Sequence, residues 1–131
     1  MPDLNRPDRK DTMSTIADLM TATPITVGAD DEIGLARDAM LEAGVHCLPV
    51  VRDGAPIGVV SSWDLVEEYS PVEAIRNAMT PRALTVGVDE DAATAAAIMQ
   101  TNLVHHLVVV DIAGQVVGVV SSLDLLAELT G

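Results

Sequence analysis

Two serine–aspartate pairs carry the spacing most suited to chemistry in this chain. Ser61-Ser62-Trp63-Asp64 follows Gly58-Val59-Val60, and Ser121-Ser122-Leu123-Asp124 follows Gly118-Val119-Val120. Each reads as a buried strand that stops at two serines and turns into a helix. Ser and Asp three apart before an apolar run form a capping-box pattern. The first turn of a helix has free N–H groups and a positive dipole end, which suit a carboxylate or a bound anion. Two readings follow. The pairs are helix caps only, or the aspartates, ionised and fixed in place, also accept hydroxyl groups of a ligand.

Histidines and a cysteine sit near each pair, at His46-Cys47 and His105-His106. Neighbours on a strand point to opposite faces, which speaks against His105 and His106 holding one metal ion. A role at a dimer interface suits them better. Cys47 reads as a small buried apolar residue. No His–acid arrangement is implied around it, so nucleophilic catalysis is not indicated. The chain has no Gly-x-Gly-x-x-Gly, Walker loop or His-Glu-x-x-His, and it reads as a non-enzyme.

The elements that position these residues come twice. Met1 to Thr12 holds two prolines and six charges and is expected to be a mobile tail. Ser14 is expected to cap a short helix with Ile16, Leu19 and Met20 on one face. Thr21 to Pro24 ends it, and Ile25-Thr26-Val27 reads as a short strand. A helix begins at Asp30 or Asp31 and runs to about Ala43, with Ile33, Ala36, Met40 and Leu41 at helical spacing and Gly44 closing it. Strands over 46–51 and 57–60 flank the hairpin turn Arg52-Asp53-Gly54. The helix opened by Ser61 is expected to reach Tyr69, with Pro71 stopping it.

Then the order begins again. Met79-Thr80 answers Met20-Thr21, Thr85-Val86-Gly87 answers Thr26-Val27-Gly28, and Asp89-Glu90-Asp91 answers Asp30-Asp31-Glu32. These acidic clusters read as favouring helix N-termini. Met99 answers Met40, and the four methionines are expected in the core. His105 to Val110 answers His46 to Val51; the second hairpin turn, Asp111 to Gly114, is one residue longer. Two β-α-β-β-α units, 13–71 and 72–131, therefore follow the 1–12 tail. One such unit cannot bury both faces of its small sheet, whereas two stacked across a pseudo-twofold axis can. The expected fold is α+β, with small sheets central and helices outside.

Composition narrows the function. The 131 residues are 49 % hydrophobic yet only 2 % aromatic, with no Phe, so the core must be aliphatic. The net charge is −13. That surface repels nucleic-acid backbones and anionic membranes, and Trp63 and Tyr69 alone make no stacking platform for a strand of bases. No apolar run has membrane-spanning length. A single cysteine fits a reducing compartment. A cytoplasmic protein is expected.

The duplicated order Met-Thr, Thr-Val, His-x-Leu-Pro-Val-Val in the first copy, and Gly-Val-Val-Ser-x-x-Asp resembles a tandem pair of CBS (cystathionine β-synthase-type) domains, a Bateman module, over about Ile16 to Leu129. The resemblance implies a regulatory module that binds an adenosine derivative such as AMP, ADP, ATP or S-adenosylmethionine, commonly as a homodimer, with no catalysis belonging to the fold. It implies that Asp64 and Asp124 bind ribose hydroxyls and that Ser61 and Ser121 contact ribose or phosphate. Thr23, Pro24 and Ile25, and Arg82, Ala83 and Leu84, would line adenine pockets, Asp124 facing the Pro24 side and Asp64 the Arg82 side. His46, His105 and His106 match positions that reach phosphates. Cys47 and His106 stand where the family often has arginine, so phosphate charge is met weakly. Arg82, with Arg52 or Arg76, supplies the nearby cations. That favours AMP or ADP over free ATP, which would need Mg²⁺ beside it. No cofactor is obligatory.

The expected function is thus a regulatory CBS pair that binds an adenosine-containing ligand between its repeats and signals to an effector protein. Apolar residues Leu65, Val66, Leu125, Leu126 and Leu129 are candidates for the dimer contact. The alternative is a ligand-free oligomerisation or docking module. A nucleotide hydrolase is a third, weaker reading.

Overall fold

The computed structural model describes residues 14–66 and 69–130. The expected tail, Met13 and residues 67–68, just before Tyr69, lie outside the described residues. The chain is mixed α+β, built as two sheets that touch one another. In order, the elements are α1 (Ile16–Leu19), β1 (Thr21–Ala22), α2 (Ile33–Ala43), β2 (Cys47–Arg52), β3 (Ala55–Ser61), a 3-10 turn (Ile75–Asn77), β4 (Thr80–Pro81), β5 (Thr85–Gly87), α3 (Ala92–Asn102), β6 (His106–Val110), β7 (Val116–Ser121) and α4 (Ser122–Thr130).

Each sheet is completed by a strand from the other half. β1 pairs antiparallel with β7, and β4 with β3, giving sheets ordered β1-β7-β6-β5 and β2-β3-β4. The exchange is reciprocal in detail. Ile16 N–H donates to Glu90 O at 2.8 Å, and Ile75 N–H donates to Asp31 O at 2.8 Å. Bridges join Thr15 to Asp91 and Ala74 to Glu32 in the same way. The apolar side chains follow the backbone. Ile16 is buried with Val86, Met99, Leu107 and Val120 of the second half. Ile75 is buried with Ile33, Met40, Leu48 and Val60 of the first. The two halves are thereby held by burial as well as by hydrogen bonds.

Local signals account for much of this. Asp53 and Gly54 both have positive φ (53° and 82°), the two-residue hairpin turn expected between β2 and β3. Gly44 closes α2 in the left-handed conformation. Asp91 caps α3, its carboxylate accepting from Thr94 N–H at 2.9 Å and Thr94 Oγ1 at 2.9 Å.

Those bonds hold the Asp91 carboxyl below its usual value of 3.8. A depressed pKa contributes stability above the unfolded value that is lost as pH falls through the folded one. Asp91→Ala is therefore expected to lower the melting midpoint at neutral pH, with the difference from wild type shrinking in acid. Thermal melts at the two pH values check this.

Several expectations need correction. Thr15 rather than Ser14 caps α1, and Glu32 rather than Asp30 or Asp31 precedes α2. Asp31 instead turns back to accept from Gly28 N–H at 2.7 Å. Ile25 and Thr26 form no strand, and only Val27 bridges to Val50. Leu41 is 81 % exposed, because one further residue rotates it about 100° away from the Met40 stripe. After Ser61 the chain makes successive tight turns through Val66, with Leu65 and Val66 N–H donating three residues back. Its repeat equivalent is the regular helix α4. Pro71 lies too close for a long helix before it, and a short isolated helix is marginal. Met40 and Met99 are buried as expected, whereas Met20 and Met79 are half-buried against the opposite halves' cores.

Candidate functional site

The exchange of β1 and β4 creates two related clefts. In each, the Ser-x-x-Asp turn after the last strand of one half faces the segment just after the exchanged strand of the other. The first cleft, of about 540 Å³, sets Ser121 and Asp124 against Thr23, Pro24 and Ile25. The second, of about 460 Å³, sets Ser61 and Asp64 against Arg82 and Leu84. Backbone pairing fixes the juxtaposition. Thr23 N–H donates to Val117 O at 3.2 Å, and Arg82 N–H donates to Ile57 O at 3.1 Å. Both residues have left-handed φ (52° and 64°) and line the clefts.

At each junction the capping box is complete. Ser61 N–H donates to Asp64 Oδ2 at 2.9 Å, and Asp64 N–H donates to Ser61 Oγ at 3.2 Å. The second copy repeats this at 2.8 and 3.2 Å. The cap uses one carboxylate oxygen. Neither Asp64 Oδ1 nor Asp124 Oδ1 accepts a hydrogen bond among the described residues, so capping leaves one carboxylate oxygen of each cleft-lining aspartate unused. The two readings of the motif are compatible in geometry.

His46, Cys47, His105 and His106 line both clefts and form the wall between them. Strand alternation does not separate His105 from His106, because β6 begins only at His106. Two contacts escaped the sequence reading. Ser62 Oγ lies 3.5 Å from His46 Nδ1, and Ser122 Oγ lies 3.5 Å from His105 Nδ1. Ser62 and Ser122 are repeat equivalents, as are His46 and His105, and that doubled coincidence was the available signal. Trp63, Leu103 and Gly44 were likewise missed as lining residues. Ala83, expected at the adenine side, lines neither cleft.

Charge differs between the clefts. Arg82 lines the second, and among the described residues no Lys or Arg lines the first. Arg52 and Arg76 reach neither cleft, and Arg76 pairs with Asp30 on the outer surface. Burial, with a smaller contribution from the Asp64 carboxylate, pushes the Cys47 thiol up to about 11. It stays a neutral thiol near pH 7 and is a poor nucleophile.

Burial chiefly, then His105 and His46, lowers the His106 pKa below 6.5, against the opposing pull of Asp124. Here the unfolded state takes the proton more readily, so stability falls as pH drops from 6.5 towards the folded value. His106→Gln is expected to flatten that part of the profile. Urea denaturation of both chains above and below pH 6.5 measures it.

Leu125 is buried in the second core and Leu65 packs against the first, which removes both from the expected dimer face. Val66 and Leu126 are exposed, and the Leu129 side chain lies outside the described residues. Among the described residues no helix is long and apolar enough to cross a membrane.

Comparison with known proteins places this architecture in a family. The CBS domain model matches residues 16–71 and 72–131, and the chain belongs to the CBS domain family. It is 32 % identical over 116 residues to a homoserine O-acetyltransferase of Methanococcoides burtonii, covering 87 % of this chain but 24 % of that enzyme. The chain thus spans about a quarter of the length of the curated relatives it matches. Among solved structures it resembles the CBS domain pair of protein MJ0100 in complex with 5′-methylthioadenosine and S-adenosylmethionine. The TM-score is 0.82 at 26 % identity, over 91 % of this chain and 98 % of that one. It also shares its fold with CBSX2 in complex with AMP, with a TM-score of 0.77 at 24 % identity, over 88 % and 96 % of the chains.

Proposed function

We propose that this protein is a regulatory CBS pair that binds an adenosine-containing ligand in the clefts between its halves and signals the bound state to an effector protein. The observation that carries this reading is the unused Oδ1 of Asp64 and of Asp124. Each sits in the turn that leaves the last strand of its half, opposite a chain segment supplied by the other half. A ribose has adjacent hydroxyl donors for such a carboxylate. A ligand spanning the cleft would touch both halves and favour one relative arrangement, shifting an equilibrium by its differential affinity. The bound adenosine compounds of MJ0100 and CBSX2 support the ligand class. Ser61, Ser121, Thr23, Pro24, Ile25, Leu84 and the three histidines complete the contacts, with Arg82 at the phosphate side.

The module acts without chemistry of its own, and its one thiol is protonated near neutral pH. It works in the cytoplasm as a homodimer and reports adenylate levels, with Mg²⁺ accompanying any triphosphate. Its net charge of −13 disfavours nucleic acid and anionic membranes.

A thermal-shift panel tests the ligand class: AMP, ADP, ATP with and without Mg²⁺, adenosine, S-adenosylmethionine, 5′-methylthioadenosine and GTP. A ligand at a hundred times its Kd adds about 2.7 kcal/mol, or on the order of 10 °C. The expected result is a response to adenine compounds that GTP does not give. No response to any of them would leave the docking-module reading, which the exposed Leu103, Leu123 and Leu126 favour.

A further inference from the structure

We propose that the two clefts take different adenosine ligands: the Asp64 cleft a nucleoside 5′-phosphate, and the Asp124 cleft an adenosine whose 5′ group is neutral or cationic, such as a thioether or a sulfonium. This rests on the adenosine reading above and assigns ligand chemistry within it.

The internal repeat makes the comparison position by position. Thr23 and Arg82 are equivalent: both follow an exchanged strand, both have left-handed φ, and both donate N–H to a carbonyl of the opposite half's last strand. The first cleft presents a hydroxyl there, and the second a guanidinium. Gly44 and Leu103 are also equivalent, as left-handed C-caps of α2 and α3 with φ of 67° and 57°. The first cleft is open at this point, whereas the second carries a leucine side chain. Leu123 lines the first cleft where Trp63 lines the second.

Electrostatics then separates them. A dianionic phosphate approaching a chain of net charge −13 needs a fixed cation. Arg82 meets that need with a paired fork of donors, and it makes no ion pair among the described residues. Trp63, 81 % exposed at the same cleft, offers a face on which a base can stack. In the first cleft the fixed charge among the described residues is the Asp124 carboxylate, and the histidine wall shared by both clefts includes His106, which burial holds towards its neutral form. A phosphate there faces a carboxylate with nothing permanently positive beside it among the described residues. A neutral thioether incurs no such repulsion, and a sulfonium is attracted.

Calorimetric titration of the full chain with AMP and with 5′-methylthioadenosine tests the assignment. AMP binding is expected to weaken about tenfold in Arg82→Thr, the worth of one charge-assisted hydrogen bond. It should also weaken in Asp64→Asn, which keeps a capping side chain, but not in Asp124→Asn. Chain saturated with AMP should still bind 5′-methylthioadenosine, and that binding should be lost in Asp124→Asn. Raising the salt concentration should weaken AMP and leave 5′-methylthioadenosine unchanged. Thr23→Arg, at a backbone conformation that arginine already adopts at position 82, should add a second AMP equivalent. AMP affinity indifferent to Arg82→Thr, or lost in Asp124→Asn and kept in Asp64→Asn, overturns the assignment while the adenosine reading stands. Failure of both compounds to bind the wild-type chain overturns that reading itself, and the assignment with it.

Discussion

Replacing Ile75 with alanine is expected to cost about 2–5 kcal/mol, the range for emptying a well-packed aliphatic site. The residue precedes the second sheet in sequence, yet it is fully buried against Ile33, Met40, Leu48, Val50 and Val60 of the first half. A cavity there therefore strikes the first core. Against a total stability of about 5–15 kcal/mol the loss is large. It should appear as a drop in urea midpoint with little change in slope. Ile16→Ala is the reciprocal test, since Ile16 is fully buried in the second core. Similar losses at both positions follow from a reciprocal exchange. A loss below about 1 kcal/mol at either would mean that its lead segment does not dock as described.

The second large effect is expected at Gly58. A Cβ there would lie 2.6 Å from the carbonyl oxygen of Thr80 and 3.2 Å from Met79 Sδ. The nearest atom is backbone, so β4 itself must move. Gly58→Ala should cost about 1–3 kcal/mol or more. Because β4 leads directly to Arg82, it should also weaken binding in the Asp64 cleft more than in the Asp124 cleft. Gly118→Ala is the informative contrast. Its added carbon meets the thioether end of Met20 first, with Thr21 O at 3.0 Å. A flexible side chain can yield, so the smaller loss is expected there. Chemical denaturation of both variants, followed by ligand titration of whichever stays folded, measures the two effects together.

The parts of the fold legible in the sequence are those fixed by local chemistry. Asp53-Gly54 requires left-handed backbone at both positions, Gly44 ends a helix, and the Ser-x-x-Asp boxes announce themselves by spacing. The internal repeat then made the second copy readable from the first. The exchange of β1 and β4 was not legible. Thr21-Ala22 and Thr80-Pro81 are two residues each, too short for an alternating pattern, and the choice of partner strand is tertiary. The same blindness hid the swapped docking of Ile16 and Ile75, whose apolar character signals burial without naming the core that receives them.

At the clefts, the aspartates and serines were legible because capping and ligand binding ask for the same residues at the same spacing. That coincidence also kept the two roles apart only in principle. Geometry adds that the cap occupies Oδ2 and leaves Oδ1. Trp63, Leu103 and Gly44 carried no motif of their own. They matter through their repeat-related positions around a cavity, which only the folded chain defines.

The most direct measurement is a nitrogen–proton NMR titration of the isotopically labelled chain with AMP. An adenosine ligand held between the halves should shift the amides of Ser61 to Asp64 together with those around Arg82, and the wall at His105 and His106. Signals from the outer face of α2 should stay in place. Perturbations confined to the outer helices, or none at saturating AMP and 5′-methylthioadenosine, would contradict ligand binding between the halves.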